Sequence, residues 1–287
     1  MTQHARPLGL AALSSLTTEP PQLIELAAEA GFDFVGIRVR PVTADETAFN
    51  LQPGSPMLDE TLARMADTGI EVKDTEFLLL DGSDQRQAWI QMFEAAQALG
   101  AESMTVAVAD TEQARVIDTL GQMVDDAKPY GVTPALEAIS YQAVNSYPQA
   151  VDIAEQTGVS VLIDTLHAAR FGATLQDLRD AAPLVPMIQL CDATTQQPTT
   201  REGLVEESRS GRLPAGEGGV DLADMVSALD SGRGTLPVLP VSVETPNSAM
   251  QASMSPKQWV QHLYATAYNL LEQLDTTAGT QQDKGAL

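Results

Sequence analysis

Short apolar runs alternate with amphipathic stretches along nearly the whole chain. The apolar runs have the length of β-strands, and the amphipathic stretches repeat their apolar residues at helical spacing. The pattern predicts eight strands, at residues 8–15, 32–39, 70–79, 103–109, 133–138, 159–167, 186–190 and 236–244. It predicts eight helices between and after them, at residues 20–30, 58–68, 84–99, 111–130, 147–157, 174–181, 222–230 and 256–274.

Strict alternation of strand and helix indicates an α/β fold with a parallel sheet. Glycine directly follows several of the predicted helices, as at Gly31 and Gly69, which is typical of a helix that ends just before the next strand. Eight such units predict a (β/α)8 TIM barrel. No break in composition divides the chain, so we expect one barrel domain over residues 1–274, followed by a polar, disordered tail at 275–287.

Charge and composition exclude several classes of function. The formal net charge is −23, from 39 acidic against 16 basic residues, whereas proteins that bind nucleic acids or anionic membranes need a basic surface. No apolar stretch reaches the roughly 18 residues of a membrane span. A single cysteine, Cys191, excludes an intramolecular disulfide and a cysteine-rich zinc module. We therefore expect a soluble, cytoplasmic protein, and we assign the weakly signal-like stretch at residues 6–16 to the first strand.

Oxygen-bearing side chains stand at the carboxyl ends of the last four predicted strands. They are Glu137, Asp164, Gln189 and Glu244. Barrel enzymes place their chemistry at these strand ends. One such acid alone is also explained by an arginine or backbone partner in the core, but four on successive strands indicate a site. Three converging carboxylates repel one another unless a cation lies between them, and a divalent metal ion is the simplest such cation.

Several motifs carry a resemblance to a known superfamily. The chain resembles the sugar phosphate isomerase/epimerase superfamily of xylose isomerase-like TIM barrels, which includes keto-sugar 3-epimerases, hydroxypyruvate isomerase, inosose dehydratase and 3-dehydroshikimate dehydratase. The resemblance covers nearly the whole chain through the strand order and through Leu136-Glu137, Ile163-Asp164-Thr165-Leu166-His167, Gln189-Leu190-Cys191-Asp192-Ala193, Arg212-Leu213-Pro214-Ala215-Gly216-Glu217-Gly218 and Val243-Glu244.

The resemblance implies a role for each matched residue. Glu137, Asp164, Gln189 and Glu244 are its metal ligands, and His167 and Arg212 bind the substrate. Members of the superfamily are often dimers or tetramers, which implies a homo-oligomer. Many epimerases carry histidine where this chain has Gln189, whereas glutamine is similar to the 3-dehydroshikimate dehydratases. An all-oxygen ligand set favours Mg²⁺ or Mn²⁺ over zinc, and it argues against the histidine-rich, DNA-repairing endonucleases of the same superfamily.

Such a site predicts proton transfer next to a carbonyl group. A metal that chelates two neighbouring substrate oxygens stabilises the enediolate formed when a proton is removed, with Glu137 and Glu244 as base and acid on opposite faces. Reprotonation makes the protein an isomerase or epimerase of a small sugar, sugar acid or sugar phosphate. Loss of a hydroxyl makes it instead a dehydratase, a lyase acting on a cyclic keto-acid or an inosose. A non-catalytic sugar-binding barrel is the third reading.

Two arginines and two acids on neighbouring strands bear on the substrate. Arg38 and Arg40 are alternate residues on the second strand, so we expect both to face the lumen. They either recognise a substrate carboxylate or phosphate, or offset neighbouring acids. Asp74 and Glu76 alternate on the third strand and either point inward or face solvent.

The two residues that the resemblance assigns to the substrate lie beyond the strand-end residues that carry the predicted ligands. His167 follows the end of the sixth strand, where we expect a loop, and a simple hydrogen bond within that loop is the alternative to substrate binding. Arg212 belongs to a long segment at residues 193–220, which we predict to be a lid. An ion pair with Glu217 is the alternative for Arg212, and the two readings are compatible.

Overall fold

Eight parallel strands form a closed barrel. The computed structural model describes residues 6–43 and 46–284. The strands pair in chain order around the barrel, and β1 closes it against β8 through the pairs Leu8↔Val241 and Leu10↔Val243. The strands are β1 Leu8–Leu10, β2 Phe34–Arg38, β3 Glu71–Leu80, β4 Ser103–Val108, β5 Thr133–Glu137, β6 Ser160–Asp164, β7 Ile188–Leu190 and β8 Val241–Val243. The predicted TIM barrel is therefore confirmed.

Helices surround the barrel and connect its strands. They are α1 Pro20–Ala30, α2 Pro56–Thr68, α3 Arg86–Leu99, α4 Gln113–Ala127, α5 Tyr147–Thr157, α6 Thr165–Phe171, α7 Leu175–Ala181, α8 Arg201–Ser210, α9 Leu222–Gly232, α10 Ser248–Ser253 and α11 Pro256–Lys284. α1 shows why glycine marked the helix ends correctly: Gly31 has a φ of 105° and donates its N–H to the main-chain oxygen of Ala27 at 3.0 Å. Across the described ranges, none of the helices combines the length and apolar character needed to cross a membrane.

The first and last strands are shorter than predicted. β1 ends at Leu10, and the chain continues as a 3₁₀ turn at Ala12–Ser15. β8 begins only at Val241, because Pro237 and Pro240 have no N–H to donate to a neighbouring strand. Leu236, within the predicted strand, is 47% exposed.

Three helices were not predicted, and two of them begin at the carboxyl end of the barrel. α6 starts directly after β6, because the Asp164 side chain accepts hydrogen bonds from Leu166 N at 2.7 Å and His167 N at 3.2 Å. His167 therefore lies on a helix and not in the expected loop. α8 lies inside the segment predicted to be a lid, and α10 follows β8. α11 continues past its predicted end at Leu274 to Lys284, while residues 285–287 of the predicted tail lie outside the described residues.

The lower part of the barrel lumen is filled by apolar side chains. Phe34, Ala135, Leu162 and Met187 form a buried cluster there. Gly9 on β1 leaves room for this cluster, because a Cβ at that position would lie 2.1 Å from the Phe34 ring. Since alternate residues of a strand share a face, Glu137 lies directly above Ala135, and Asp164 lies directly above Leu162. Packing below thus aims the polar residues at the open end of the barrel.

Candidate functional site

A cleft of about 160 Å³ opens at the carboxyl ends of the strands. Six of the predicted site residues contribute to its lining, namely Arg38, Glu137, His167, Gln189, Arg212 and Glu244. Asp164 is fully buried at the end of β6 and is in register with Gln189 on β7. The barrel thus brings the four predicted metal ligands together, since they lie at the ends of four neighbouring strands.

The Arg212 guanidinium lies between two of the predicted ligands. Its Nη1 is 2.6 Å from Asp164 Oδ2 and 2.9 Å from Glu244 Oε2, and it also donates to the main-chain oxygen of Glu244 at 3.2 Å. Arg212 is 1% exposed. Burial opposes ionisation of Asp164, but the charge of Arg212 and the further charge and hydrogen-bond contributions of its neighbours together outweigh burial and hold the pKa of Asp164 below its ordinary value. The positive group that lies between the carboxylates of Asp164 and Glu244 in this structure is therefore the Arg212 guanidinium.

The backbone around Arg212 is held on both sides. Arg212 N donates to Pro246 O at 3.2 Å, and Asn247 Nδ2 donates to Arg212 O at 2.8 Å. The side chain is guided further by Nε, which donates to Ser208 O at the end of α8 at 2.8 Å. The alternative pairing of Arg212 with Glu217 is wrong, because the chain carries Glu217 away to His262, 2.9 Å from His262 Nε2.

Glu137 and Glu244 hold protons more strongly than ordinary glutamates. Burial, with a contribution from the charge of Asp164, raises the pKa of Glu137 to about 8. Burial also raises the pKa of Glu244 well above its ordinary value, although Arg212 opposes the shift. In this arrangement Glu137 is mostly protonated at neutral pH. It becomes a carboxylate, and therefore a base, when a further positive charge comes close.

His167 is a buried, neutral imidazole that lies beside Glu137. Its Nδ1 accepts from Ser140 N at 3.5 Å, which leaves Nε2 as the protonated nitrogen, 3.7 Å from Glu137 Oε1. The ring lies edge-on to Tyr141, with ring centres 5.6 Å apart. Burial lowers the pKa of His167 to about 4, so the ring stays uncharged at neutral pH. His167 thus presents an N–H toward the carboxyl group of Glu137.

The donor atoms present fit a divalent cation. One atom each from Glu137, Asp164 and His167 lie within 4.8 Å of one another. Gln189 donates through Nε2 to Glu244 Oε1 at 2.8 Å, while its amide oxygen is buried with no partner among the described residues. A buried amide oxygen without a donor is a ready ligand for a hard cation. Arg212 contacts one carboxylate oxygen on each of two predicted ligands, Asp164 Oδ2 and Glu244 Oε2.

Of the two arginines predicted to face the lumen, only Arg38 reaches the cleft. Its Nη2 lies 3.2 Å from Glu76 Oε2 and its Nη1 3.4 Å from Glu46 Oε2, while its buried Nε has no partner in the described part of the chain. Arg40 is exposed and is not among the described residues that line the cleft. The alternation that predicted Arg40 to face inward ends with β2 at Arg38. Offsetting of neighbouring acids, one of the two interpretations, is thus observed for Arg38.

The structure adds residues that sequence reasoning missed. Tyr141 and Ser208 line the cleft, and the Tyr141 hydroxyl donates to Ser208 Oγ at 3.1 Å. Both lie outside the strands, so no strand periodicity marks them. Asp74 and Glu76 do point inward: they are 1% and 2% exposed, and Glu76 lines the cleft. Burial, followed by the charge of Glu76, raises the pKa of Asp74 well above its ordinary value.

Comparison with known proteins identifies the family. The model of the xylose isomerase-like TIM barrel family matches residues 24–265. The chain belongs to this family. Inosose isomerase of Bacillus subtilis strain 168 is 29% identical over 151 residues, which make up 48% of this chain and 52% of the relative. The match therefore spans about half the length of this curated relative.

Solved structures share the whole architecture at low identity. The crystal structure of the IolI protein with a binding zinc atom has a TM-score of 0.77 and 22% identity, and the match covers 93% of this chain and 99% of that one. The probable 3-DHS dehydratase AsbF of Bacillus anthracis has a TM-score of 0.70 and 12% identity, with 91% and 98% of the two chains covered. At these identities the likeness shows the fold alone. The predicted superfamily is confirmed by the family match.

Proposed function

We propose that the protein is a divalent-metal-dependent isomerase or epimerase of a small polyhydroxy ketone or aldehyde, such as a sugar, sugar acid or sugar phosphate. The observation that carries the proposal is the convergence of four strand ends: Glu137, Gln189 and Glu244 line the cleft, and Asp164 lies in register with Gln189. The relative named inosose isomerase supports a sugar-like substrate.

We assign the metal to the oxygens of Glu137, Asp164, Gln189 and Glu244. An all-oxygen set supports Mg²⁺ or Mn²⁺. His167 lies beside Glu137 and Asp164, and its Nε2 becomes a metal ligand only if the ring takes the other tautomer; a nitrogen ligand would favour Zn²⁺, so all three ions belong in any binding test. When bound, such a cation withdraws electron density from a substrate carbonyl and stabilises negative charge that develops on neighbouring oxygens.

Glu137 and Glu244 are the proposed acid and base. They stand at the ends of β5 and β8, on either side of the strands that hold Asp164 and Gln189, so they approach the cleft from two directions. Their raised pKa values suit groups that exchange protons near neutral pH. A substrate carbon between them loses a proton to one carboxylate and receives a proton from the other acid. Transfer across opposite faces gives epimerisation, and transfer to a neighbouring carbon gives isomerisation.

The remaining walls bind and orient the substrate. The neutral His167 is placed to donate from Nε2 to a substrate oxygen. Leu13, Phe77 and Ile139 also line the cleft and exclude water from the reacting groups. Arg38 also lines the cleft, and its buried Nε has no partner among the described residues, so this N–H is free to donate a hydrogen bond to a substrate oxygen.

A metal-dependent dehydratase of a cyclic keto-acid or inosose, such as 3-dehydroshikimate, is the second candidate. Two observations favour it: Gln189 makes the ligand set all oxygen, and the free Arg38 Nε offers a donor for a substrate carboxylate. Both reactions begin with the same proton abstraction. They differ in whether the intermediate regains a proton or loses a hydroxyl group. A non-catalytic sugar-binding barrel is less favoured, because the four ligand side chains do converge.

One experiment separates these functions. The purified protein is loaded with Mg²⁺, Mn²⁺ or Zn²⁺ and incubated in D₂O with a panel of keto-sugars, inososes and 3-dehydroshikimate. Deuterium at the carbon next to the carbonyl, seen by NMR without loss of water, identifies an isomerase or epimerase. A conjugated product that absorbs ultraviolet light identifies the dehydratase. Binding without deuterium exchange or product under every metal leaves only the sugar-binding barrel.

The proposal also covers the oligomeric state, binding partners and cellular compartment of the enzyme. We propose a cytoplasmic homo-oligomer that binds small molecules and neither nucleic acid nor membrane. The net charge of −23 supports the exclusion of polyanionic partners. Cys191 is fully buried and is the single cysteine of the chain, which suits a reducing compartment. Sedimentation of the purified protein measures its oligomeric state directly.

A further inference from the structure

We propose that Arg212 is the resident counter-cation of the carboxylate cluster, and that a divalent metal ion binds by displacing its guanidinium from Asp164 and Glu244. The proposal rests on the metal dependence proposed above. It adds that arginine and metal compete for the same oxygens, so each excludes the other.

The competition follows from the contacts of one atom. Arg212 Nη1 lies 2.6 Å from Asp164 Oδ2 and 2.9 Å from Glu244 Oε2. A divalent cation bound to those oxygens would lie about 2.0–2.6 Å from each of them. A metal ion bound to the same two oxygens would lie close to Nη1, and two neighbouring positive charges repel each other strongly at a buried site. One must leave when the other arrives.

Burial makes the guanidinium necessary when no other cation is near. Asp164 and Arg212 are 0% and 1% exposed, and Glu137 and Glu244 are 5% and 4% exposed. Without a positive group among them, these carboxyl groups would have to stay protonated or repel one another. Arg212 therefore preserves the geometry of the site in advance of metal. The cost is a lower apparent metal affinity, since binding must also displace the arginine.

The displacement is a movement of the side chain alone. The residues before and after Arg212 form bridges to neighbouring segments, Gly211 with Asn247 and Leu213 with Asp192. The N–H and C=O groups of Arg212 are themselves hydrogen-bonded. These contacts keep the backbone in place while the guanidinium swings.

The released guanidinium has a place to go. Ser208, whose main-chain oxygen accepts from Nε and whose Oγ lies 3.4 Å from Nη2, lines the cleft together with Tyr141. A short swing on this side takes the guanidinium from the carboxylates into the cleft. Metal binding thus converts Arg212 from a partner of Asp164 into a group that faces the substrate, so the substrate-binding state forms only after the metal has bound.

The test measures metal affinity with no substrate present. Wild-type protein, Arg212→Met and Arg209→Met are stripped with a chelator and titrated calorimetrically with Mn²⁺. Arg209 is the matched control, because it also lines the cleft but forms no ion pair among the described residues. We expect Arg212→Met to bind Mn²⁺ at least tenfold more tightly than wild type, and Arg209→Met to bind within threefold of it. The metal-free Arg212→Met protein should melt at a lower temperature than wild type. Its melting temperature should rise more than that of wild type when Mn²⁺ is added.

The outcomes separate this inference from the proposed function. If wild type binds Mn²⁺ and Arg212→Met binds no more tightly, the competition is overturned while the metal site stands. If neither protein binds Mn²⁺, Mg²⁺ or Zn²⁺, both proposals fail. If Arg212→Met does not fold, a crystal structure of wild type with Mn²⁺ decides. Loss of the Nη1 contacts to Asp164 and Glu244 supports exchange, and a metal ion bound with both contacts kept overturns it.

Discussion

Gln189 donates a hydrogen bond of 2.8 Å from Nε2 to Glu244 Oε1, while its amide oxygen remains without a partner among the described residues. The amide thus does two things at once: it orients the carboxyl group of Glu244 and leaves an oxygen free for a cation. Histidine could not keep both functions with the same atoms, because its ligand atom would be a nitrogen.

The first prediction concerns the choice of metal. Gln189→His replaces an amide oxygen by an imidazole nitrogen, which Zn²⁺ accepts more readily than Mg²⁺ does. We expect the ratio of Zn²⁺ to Mg²⁺ affinity to rise at least tenfold, as measured by calorimetric titration of both ions. Gln189→Leu, which provides no ligand atom, is the control and should bind every ion more weakly. An unchanged ratio in Gln189→His would place residue 189 outside the metal shell.

The positions of the proposed ligands could be predicted from the sequence because strand periodicity is local. Glu137 and Asp164 each end an apolar run, and in a parallel barrel all such ends lie at one rim. Nothing beyond the run itself and its place in the βα rhythm was needed. The same reasoning failed for Arg40, since alternation holds only while the strand lasts, and β2 ends two residues earlier.

The partners of Arg212 could not be predicted in the same way. Asp164 precedes it by 48 residues and Glu244 follows it by 32, whereas Glu217 is close in sequence. Sequence proximity favoured Glu217, but tertiary structure decides, because the chain reverses after Leu213 and carries Glu217 to His262. The helix α8, which contacts Arg212 through Ser208, was not predicted either, because its segment of the sequence shows no clear apolar periodicity.

The second prediction tests the proposed acid and base. Glu137→Gln and Glu244→Gln keep the shape of each side chain but cannot exchange a proton, so each should lower kcat by roughly 10²–10⁴-fold. Deuterium exchange into the substrate, once the panel has identified one, gives the readout, and circular dichroism checks the fold. Glu46→Gln is the matched control, because Glu46 lines the cleft but contacts Arg38 and Val42 N. Full activity in either variant at 137 or 244 would remove the proposed mechanism.

The third prediction follows from the neutral state of His167. Its pKa is about 4 in the folded protein against an ordinary value of 6.5, so between these values the unfolded chain binds more protons than the native one. The stabilisation from the neutral ring is therefore complete above pH 6.5 and is lost as the pH falls toward 4. The contribution approaches about 1 kcal/mol per pH unit within this window.

Comparison with a variant isolates this effect, because Glu137, with its raised pKa, changes stability with pH in the opposite direction. The difference in free energy of unfolding between wild type and His167→Asn, measured by urea denaturation of chelator-treated protein, should become smaller from pH 6.5 to 4.5. A difference at His167 that stays constant with pH would mean that the ring is already charged in the native state.

The fourth prediction concerns the packing that aims the site residues. A Cβ at Gly9 would lie 2.1 Å from Phe34 Cε2, and both residues lie on strands inside the barrel. Gly9→Ala should therefore force Phe34 out of its place and lower the free energy of unfolding by about 1–3 kcal/mol. Gly121→Ala is the matched control: it lies within α4 with no atom near the added methyl group, so it should raise stability by about 0.5–1 kcal/mol.

A double variant shows whether Phe34 is the cause. Phe34→Leu shortens the side chain that the new methyl group would meet, so Gly9→Ala should cost less in the Phe34→Leu background than in wild type. Denaturant midpoints at an unchanged slope measure each step of this cycle. Because Phe34 packs with Ala135 and Leu162, directly below Glu137 and Asp164, the Gly9→Ala protein should also bind Mn²⁺ more weakly. Equal costs in both backgrounds would show that the strain falls elsewhere in the barrel.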